Sequence, residues 1–464
     1  MALRPETVRG ELRALARLAV PLALAAAAQS LMGVVDTAVV GRAGPAALAG
    51  TGLGNILFFA VSVLGMGLMM GLDPLVSQAF GAGDAPRARH LLWQGGWLSL
   101  GVGMALALPL VFAPLLLVPG GIEPAVAAQA AGYLWARLPG LPALLFFFAS
   151  RAYLQSAGSA RAVLASAVLA NVANFLLDLL LVFGGASYPD WTGPLRLVPA
   201  LGAAGSGIAT TIATFLQGAY LAWAAGTVGA RGPFSRRPVR RELEAALRVG
   251  LPVGLHMGAE VGIFALVGFF AGRLGTVPLA AHQIAIALAS FSFNAAVGIG
   301  NAGSVRVGWA VGAGDRAAAR RSGLTAFGAG AAFMSLWGLA FLAFPGAFSR
   351  LMSDDPAIVA VAAPLLRVAG VFQLSDGIQA VGAGVLRGAG DTRFTFVANM
   401  VGHWALGLPA ALVLGLALGG GVTGLWWGLC AGLTFVAVAL FLRFRRISAR
   451  AIAPLRPAVP PEAG

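Results

Sequence analysis

The sequence predicts an all-α integral membrane protein: twelve transmembrane helices in two six-helix lobes related by a parallel internal repeat. Three observations predict it. Apolar residues make up 59% of the 464-residue chain and charged residues only 10%, a balance far outside that of soluble domains. The apolar residues fall into about twelve blocks, each long enough for the roughly 20 helical residues that cross a hydrocarbon core. The two halves of the chain also repeat one another at a constant offset, described below.

The composition excludes several function classes. All 31 basic residues are arginine, and a Walker A phosphate loop needs a lysine to reach the phosphates, so the chain does not power itself with ATP. A net charge of +14 would suggest nucleic acid in a soluble protein. Here the arginines cluster between apolar blocks, so membrane topology is the simpler reading. The single cysteine, Cys430, cannot close a disulfide, and the four histidines are too far apart in sequence for metal-ligand spacing. The 65 glycines suit helices that pack through small residues, because lipid offers no hydrophobic drive for association.

Residues 1 to 28 mimic a secretory signal, with Arg4, Arg9, Arg13 and Arg17 before an alanine-rich run. The apolar run continues to Val40, too long for a signal, so it is read as the first span. Further blocks fall near 53–76, 91–118, 131–154, 162–184 and 200–226. A basic, proline-containing linker follows at 231–248, and the second six blocks lie near 249–272, 279–302, 323–347, 357–386, 394–418 and 421–442. The expected organisation is an amino-terminal lobe over 1–230, the linker 231–248, a carboxyl-terminal lobe over 249–446 and a tail over 447–464. Twenty-five arginines lie at the chain ends or even-numbered connections, against six (Arg42, Arg137, Arg196, Arg273, Arg350, Arg367) near the odd-numbered ones. The positive-inside rule therefore puts both termini and the linker in the cytoplasm.

The repeat decides the organisation. At an offset of 231, Glu11, Leu12, Arg17 and Pro21 match Glu242, Leu243, Arg248 and Pro252, and Gly41-Arg42 match Gly272-Arg273. The same offset places the loop Gly81-Ala82-Gly83-Asp84 on Gly312-Ala313-Gly314-Asp315. Six helices per half is an even number, so both halves share one orientation and are related by an axis along the membrane normal.

Buried charge marks the candidate sites. The block from 249 to 272 carries Glu260 at its middle, where a carboxylate costs several kcal/mol unless it is neutralised, paired or bound. Counting from the flanking arginines at about 1.5 Å per residue puts Glu260 and Asp376 at roughly 16 to 18 Å, near the midplane of the second lobe. Asp36 and Asp178 lie at roughly 25 to 29 Å, in the outer half of the first. Asn171, Asn174 and Asp178, at i, i+3 and i+7, share one helical face; interhelical hydrogen bonding is the alternative reading for them. His256 lies four residues before Glu260 on the same face and either relays protons or packs as a neutral ring. His282 and His403 carry only a packing reading, and Asp73 is placed at headgroup level. The repeat sets Glu260 on Gln29 and Asp36 on Val267, which points to two distinct sites in one shared frame. Pro21 and Pro252 each sit inside a span, where a missing amide hydrogen bond makes them hinge candidates.

Burial disfavours the charged form of a carboxylic acid, so a carboxyl group in a span can exchange a proton near neutral pH. Protonation then competes with a cationic solute for one negative charge, which is what an antiporter requires.

The stretch Val35-Asp36-Thr37 through Gly50, the loop from Ser77-Gln78 to Gly83, Ala281-His282-Gln283, and Gly384-Val385-Leu386-Arg387-Gly388-Ala389-Gly390-Asp391-Thr392 together resemble the multidrug and toxic compound extrusion (MATE) family, in its NorM-like branch. The resemblance covers nearly the whole chain. It implies export of organic, cationic compounds or xenobiotics, driven by a proton or sodium gradient, by a monomer in the cell (inner) membrane with no cofactor and no enzymatic activity. It carries the amino-lobe cation site onto Asp36, Asn174, Asp178 and Thr210, and the carboxyl-lobe site onto Glu260 and Asp376, joined here by Gln283 and His256. Some NorM-like members have a tyrosine where this chain has Phe372. Loss of that oxygen favours protons over sodium as the coupling ion. A lipid-linked precursor flippase of the same superfamily is the alternative; the acidic intramembrane charges argue against it. An intramembrane enzyme would need a nucleophile with a base or a metal cluster, and the sequence has no His-Glu-x-x-His or Asp-rich motif. A passive channel is not separated from a transporter by sequence.

Overall fold

The computed structural model describes residues 7–186, 188–228 and 233–455. Arg4, Arg231, the start of the linker and the tail from residue 456 lie outside the described residues. No strand occurs among the described residues. Eleven of their helices are long and apolar enough to cross a membrane, and one bent pair makes a twelfth span.

The first span is α1 (Val8–Val40), with Pro21 inside it. The second runs as α2 (Pro45–Met70) and α3 (Leu72–Gly81), interrupted at Gly71, and the third is α4 (Ala85–Phe112). The fourth is the bent pair α5 (Pro124–Arg137) and α6 (Gly140–Ser156), inclined by 48°. The sequence reading has one straight block at 131–154; the chain instead breaks at Leu138–Pro139, where proline has no amide hydrogen to continue the ladder. α7 (Ala160–Phe183) and α8 (Gly202–Thr227) complete the first six spans.

α9 (Arg240–Arg273) contains Pro252 and takes in the second half of the basic linker. α10 (Thr276–Gly312) and α11 (Arg316–Ala343) follow, then the short α12 (Pro345–Met352) and α13 (Pro356–Gly388). Asp315 accepts the Ala318 amide at 2.9 Å and Asp355 the Ala357 amide at 2.8 Å, so both aspartates cap helix starts. The eleventh span begins as α14 (Thr392–Asn399), widens into a π-helix over Met400–Gly407, returns to α15 (Leu408–Leu412) and widens again over Val413–Ala417. α16 (Gly421–Ser448) is the last. Gly83 and Gly314, equivalent under the repeat, both adopt positive φ, 81° and 69°. Glycine meets that requirement without a Cβ penalty, so the shared Gly-Ala-Gly-Asp loop repeats a backbone shape.

The described residues form two packing units that cut across the sequence halves. One comprises Ala25–Leu72 and the described part of Ala85–Arg248; there α7 packs on α8, α2 on α5, α4 on α6, and α8 on both α5 and α6. The other holds the described residues from Val249 on, with α13 central to α10, α11 and α16. It also takes the start of α1, up to Leu24, and Asp73–Asp84, both of which the sequence assigns to the first lobe.

Within that second unit the reason is visible. A Cβ added at Gly81 would stand 2.2 Å from the Trp309 carbonyl oxygen, and one at Gly312 would stand 2.0 Å from that of Gln78. Gly81 is equivalent to Gly312 and Gln78 to Trp309, so the contact is reciprocal, as across a two-fold axis. Buried ion pairs secure the same segments. Arg306 donates to both carboxylate oxygens of Glu11, Nη2 to Oε2 at 2.8 Å, and the Ser322 hydroxyl donates to Oε1 at 2.7 Å. Asp73 is buried against Arg387 at 3.0 Å, an ion pair that depth counting from sequence does not give, and Arg387 also donates to Asn301 Oδ1 at 2.7 Å. Desolvation makes each of these charges depend on its partner. Glu11→Ala, which strands the Arg306 guanidinium, is expected to lower stability by about 3–5 kcal/mol. Thermal unfolding in detergent checks this, and a transition at the wild-type temperature would contradict the pairing.

Candidate functional site

The first unit gathers four of the residues singled out from sequence. Asp36 sits four residues before the end of α1, Asn174 and Asp178 one turn apart on α7, and Thr210 on α8. The Asn174 amide donates to Asp36 Oδ1 and, at 3.0 Å, to Asp178 Oδ2, so one side chain bridges two carboxyl groups. Thr210 Oγ1 donates to Asp36 Oδ2 at 3.3 Å. All four are buried, and Asn174 Oδ1 and Asp178 Oδ1 have no hydrogen-bond partner among the described residues. Asn171 belongs to a different task. Its amide donates to the carbonyls of Ala28 and Ala167, so it ties α7 to α1 rather than joining the carboxyl pair.

Two residues at this site were not anticipated. Arg137, buried at the end of α5, lies 4.3 Å above the Phe58 ring and acts electrostatically on Asp36. Ser206, one turn before Thr210 and fully buried, lies beside Asp178. Arg137 falls inside the fourth apolar block, 131–154, although the count of arginines by side assigns it to an odd-numbered connection. Intramembrane charge is therefore not purely acidic. Of the buried arginines, Arg306 and Arg387 are ion-paired with Glu11 and Asp73, and Arg137 acts electrostatically on Asp36, so each balances an acid.

In the second unit, α9 carries His256 and Glu260 at i and i+4, with His256 Nε2 3.1 Å from Glu260 Oε2. Gln379 on α13 donates to Glu260 Oε1 at 3.2 Å, and its own Oε1 has no hydrogen-bond partner among the described residues. Asp376, three residues earlier on α13 and buried, lies within electrostatic range of Glu260. The structure does not add Gln283 to this group. Its side chain is exposed on α10, and neighbouring His282 turns into the core, accepting from the Trp426 indole at 3.1 Å. A helix presents successive residues about 100° apart, so the two cannot share a face. Phe372 is buried against Trp426, with ring centroids 5.5 Å apart, in an apolar cluster that offers no oxygen.

His403 corrects the packing reading. It lies on the π-helical segment, fully buried, within electrostatic reach of both Glu260 and His256. Among the described residues no group of three or more His, Cys, Asp or Glu is placed to hold a metal ion.

The comparisons agree with this architecture. The MatE family model matches twice, over residues 21–180 and 252–413, beginning at the two equivalent prolines. The chain is 38% identical over 458 residues to the multidrug resistance protein NorM of Burkholderia vietnamiensis, covering 95% of each. It is 37% identical over 443 residues to a probable multidrug resistance protein NorM of Deinococcus radiodurans, covering 94% of this chain and 95% of that one. Among solved structures it is similar to the eukaryotic MATE transporter AtDTX14, with TM-score 0.81 at 20% identity over 96% of this chain and 98% of that one. A MOP superfamily transporter from Pyrococcus furiosus is similar at TM-score 0.82 and 20% identity, over 95% of this chain and 97% of that one. Twelve candidate spans, a twofold family match and NorM relatives along nearly its full length make this chain a member of the MATE family of multipass membrane proteins.

Proposed function

We propose that the protein is a secondary active multidrug efflux antiporter that exports organic cations in exchange for protons. The observation that carries the reading is the Asn174 amide bridging the Asp36 and Asp178 carboxyl groups inside the spans. Two carboxylates against the single guanidinium of Arg137 leave one negative charge uncompensated. In a membrane interior that charge calls for a proton or a cation. A proton and a cationic solute then exclude one another, and exclusion at one charge is sufficient for exchange. The names of the NorM relatives support multidrug export as the task.

Protons are favoured over sodium because Phe372 supplies no ligand, while a proton needs no coordination shell. Sodium would have to draw on the side-chain oxygen of Gln379 beside Glu260, which has no hydrogen-bond partner among the described residues. The bacterial relatives and the arginine distribution support an inner-membrane location with both termini cytoplasmic. The flippase reading gains no support from the buried arginines, since each balances an acid.

Uptake of tetraphenylphosphonium into proteoliposomes, under an imposed proton gradient or sodium gradient, tests the reading. Accumulation driven by the proton gradient alone is the expected result. Accumulation that requires sodium would replace the coupling ion, and none with either gradient would overturn antiport.

A further inference from the structure

The eleventh span contains polar atoms that nothing described so far uses. Both side-chain heteroatoms of Asn399 are buried without a hydrogen-bond partner among the described residues, and the fully buried His403 ring, which interacts with the Asn399 backbone, has no side-chain hydrogen-bond partner among them. A polar group left unpaired in an apolar interior costs several kcal/mol. An unpaired Asn399 amide one turn before a histidine with no side-chain partner therefore marks a hydrated or functional position and not simple packing. The backbone there is π-helical over Met400–Gly407, a local widening that recurs at functional sites.

The surroundings place this segment beside α9. The Trp404 indole donates to the Ala259 carbonyl at 3.2 Å, and its ring lies against Gly262, so the π segment is held to α9 on both sides of Glu260. Gly402 packs on α16, where it meets Gly432, Phe435 and Val436, none of them titratable. The titratable groups that act electrostatically on His403 are Glu260 and His256 from α9, and Glu260 acts in turn on Asp376 of α13. Counted at about 1.5 Å per residue, Asn399 is roughly 9 Å and His403 roughly 15 Å from Arg393, while Glu260 is roughly 18 Å from Arg248. Asn399, His403 and Glu260 thus form a ladder of increasing depth from the arginine-bearing end of these helices.

We propose that His403, with Asn399 one turn before it, is a proton path between Glu260 and the end of the eleventh span that carries Arg393. The inference rests on the reading of Glu260 as a proton-exchanging group. The protonated Glu260 carboxyl gives its proton, through water, to one nitrogen of the neutral imidazole. Glu260 becomes a carboxylate and the ring an imidazolium. The imidazolium then loses the proton on its other nitrogen to water held at Asn399. One proton has crossed, and the ring resets by exchanging tautomers. His403 touches no transported solute in this scheme; it sets how fast Glu260 is discharged.

Infrared spectroscopy of the full-length protein in lipid tests the path without any substrate. After an upward pH jump, the carboxyl band that Glu260→Gln removes should decay. In His403→Gln that decay should slow about tenfold or more. In His403→Ala, added imidazole should restore it in proportion to its neutral form, which a merely structural role would not produce. Asn399→Leu, which deletes an unpartnered amide, should slow it as well and serves if the histidine variants do not fold. Wild-type decay in His403→Gln or Asn399→Leu overturns the path, as does the absence of a Glu260 band in the wild type. Failure of the wild-type protein to move tetraphenylphosphonium would overturn the antiport reading instead, and the infrared result would still judge His403.

Discussion

Asp36→Asn is expected to lower proton-driven tetraphenylphosphonium transport by about 100-fold or more while leaving the protein folded in membranes. The substitution preserves shape and keeps an oxygen near Thr210, but it removes the exchangeable charge that Asn174 bridges to Asp178. Asp178→Asn should behave alike, because the two carboxyl groups share one amide. Asn174→Leu should also impair transport by separating them, since it takes away a donor common to both. Initial rates in proteoliposomes, normalised to reconstituted protein, decide the matter. An Asp36→Asn variant that transports at the wild-type rate would remove the amino-half site from the mechanism.

Glu260→Gln and Asp376→Asn are each expected to abolish transport with the fold retained. Glu260 receives His256 and Gln379 on its two oxygens, and Asp376 lies within its field. Glutamine at 260 can still accept from Gln379, so packing is conserved while the proton site is lost. Size-exclusion behaviour in detergent separates folding from function. Export at the wild-type rate by either variant would make the carboxyl-half cluster structural.

The amino-half site was legible because its parts are local or strongly charged. Asn174 and Asp178 are one turn apart on one helix, and buried aspartates in apolar blocks announce themselves by cost. Thr210 and Gln283 came only with the family resemblance, and the structure keeps the first at the site and turns the second away. The neutral participants were harder to see. His403 and Gln379 carry no charge that makes burial conspicuous, and each owes its place to contact between helices distant in sequence. Asp73 could not be placed by depth alone, because its partner Arg387 lies 314 residues away.

The repeat also shows what duplication constrains. Gln29, equivalent to Glu260, donates to Gln217 at 3.3 Å, while Val267, equivalent to Asp36, is packed in an apolar cluster with Ile263, Leu425 and Leu429. The frame recurs and the chemistry does not. Backbone geometry is set by glycines and loop shapes that both halves keep, whereas a site depends on individual side chains free to diverge.

By itself the sequence determined the fold class, the span count, the repeat and the carboxylates, because hydrophobic length, arginine placement and a constant offset are properties of the chain read in one dimension. Only the tertiary structure decided that the start of α1 and Asp73–Asp84 pack with the second unit, through the Gly81 and Gly312 crossing and the Glu11–Arg306 pair. It alone also brought His403 within electrostatic reach of Glu260. Those outcomes depend on which faces of separate helices meet, and periodicity gives each helix a face without naming its partner.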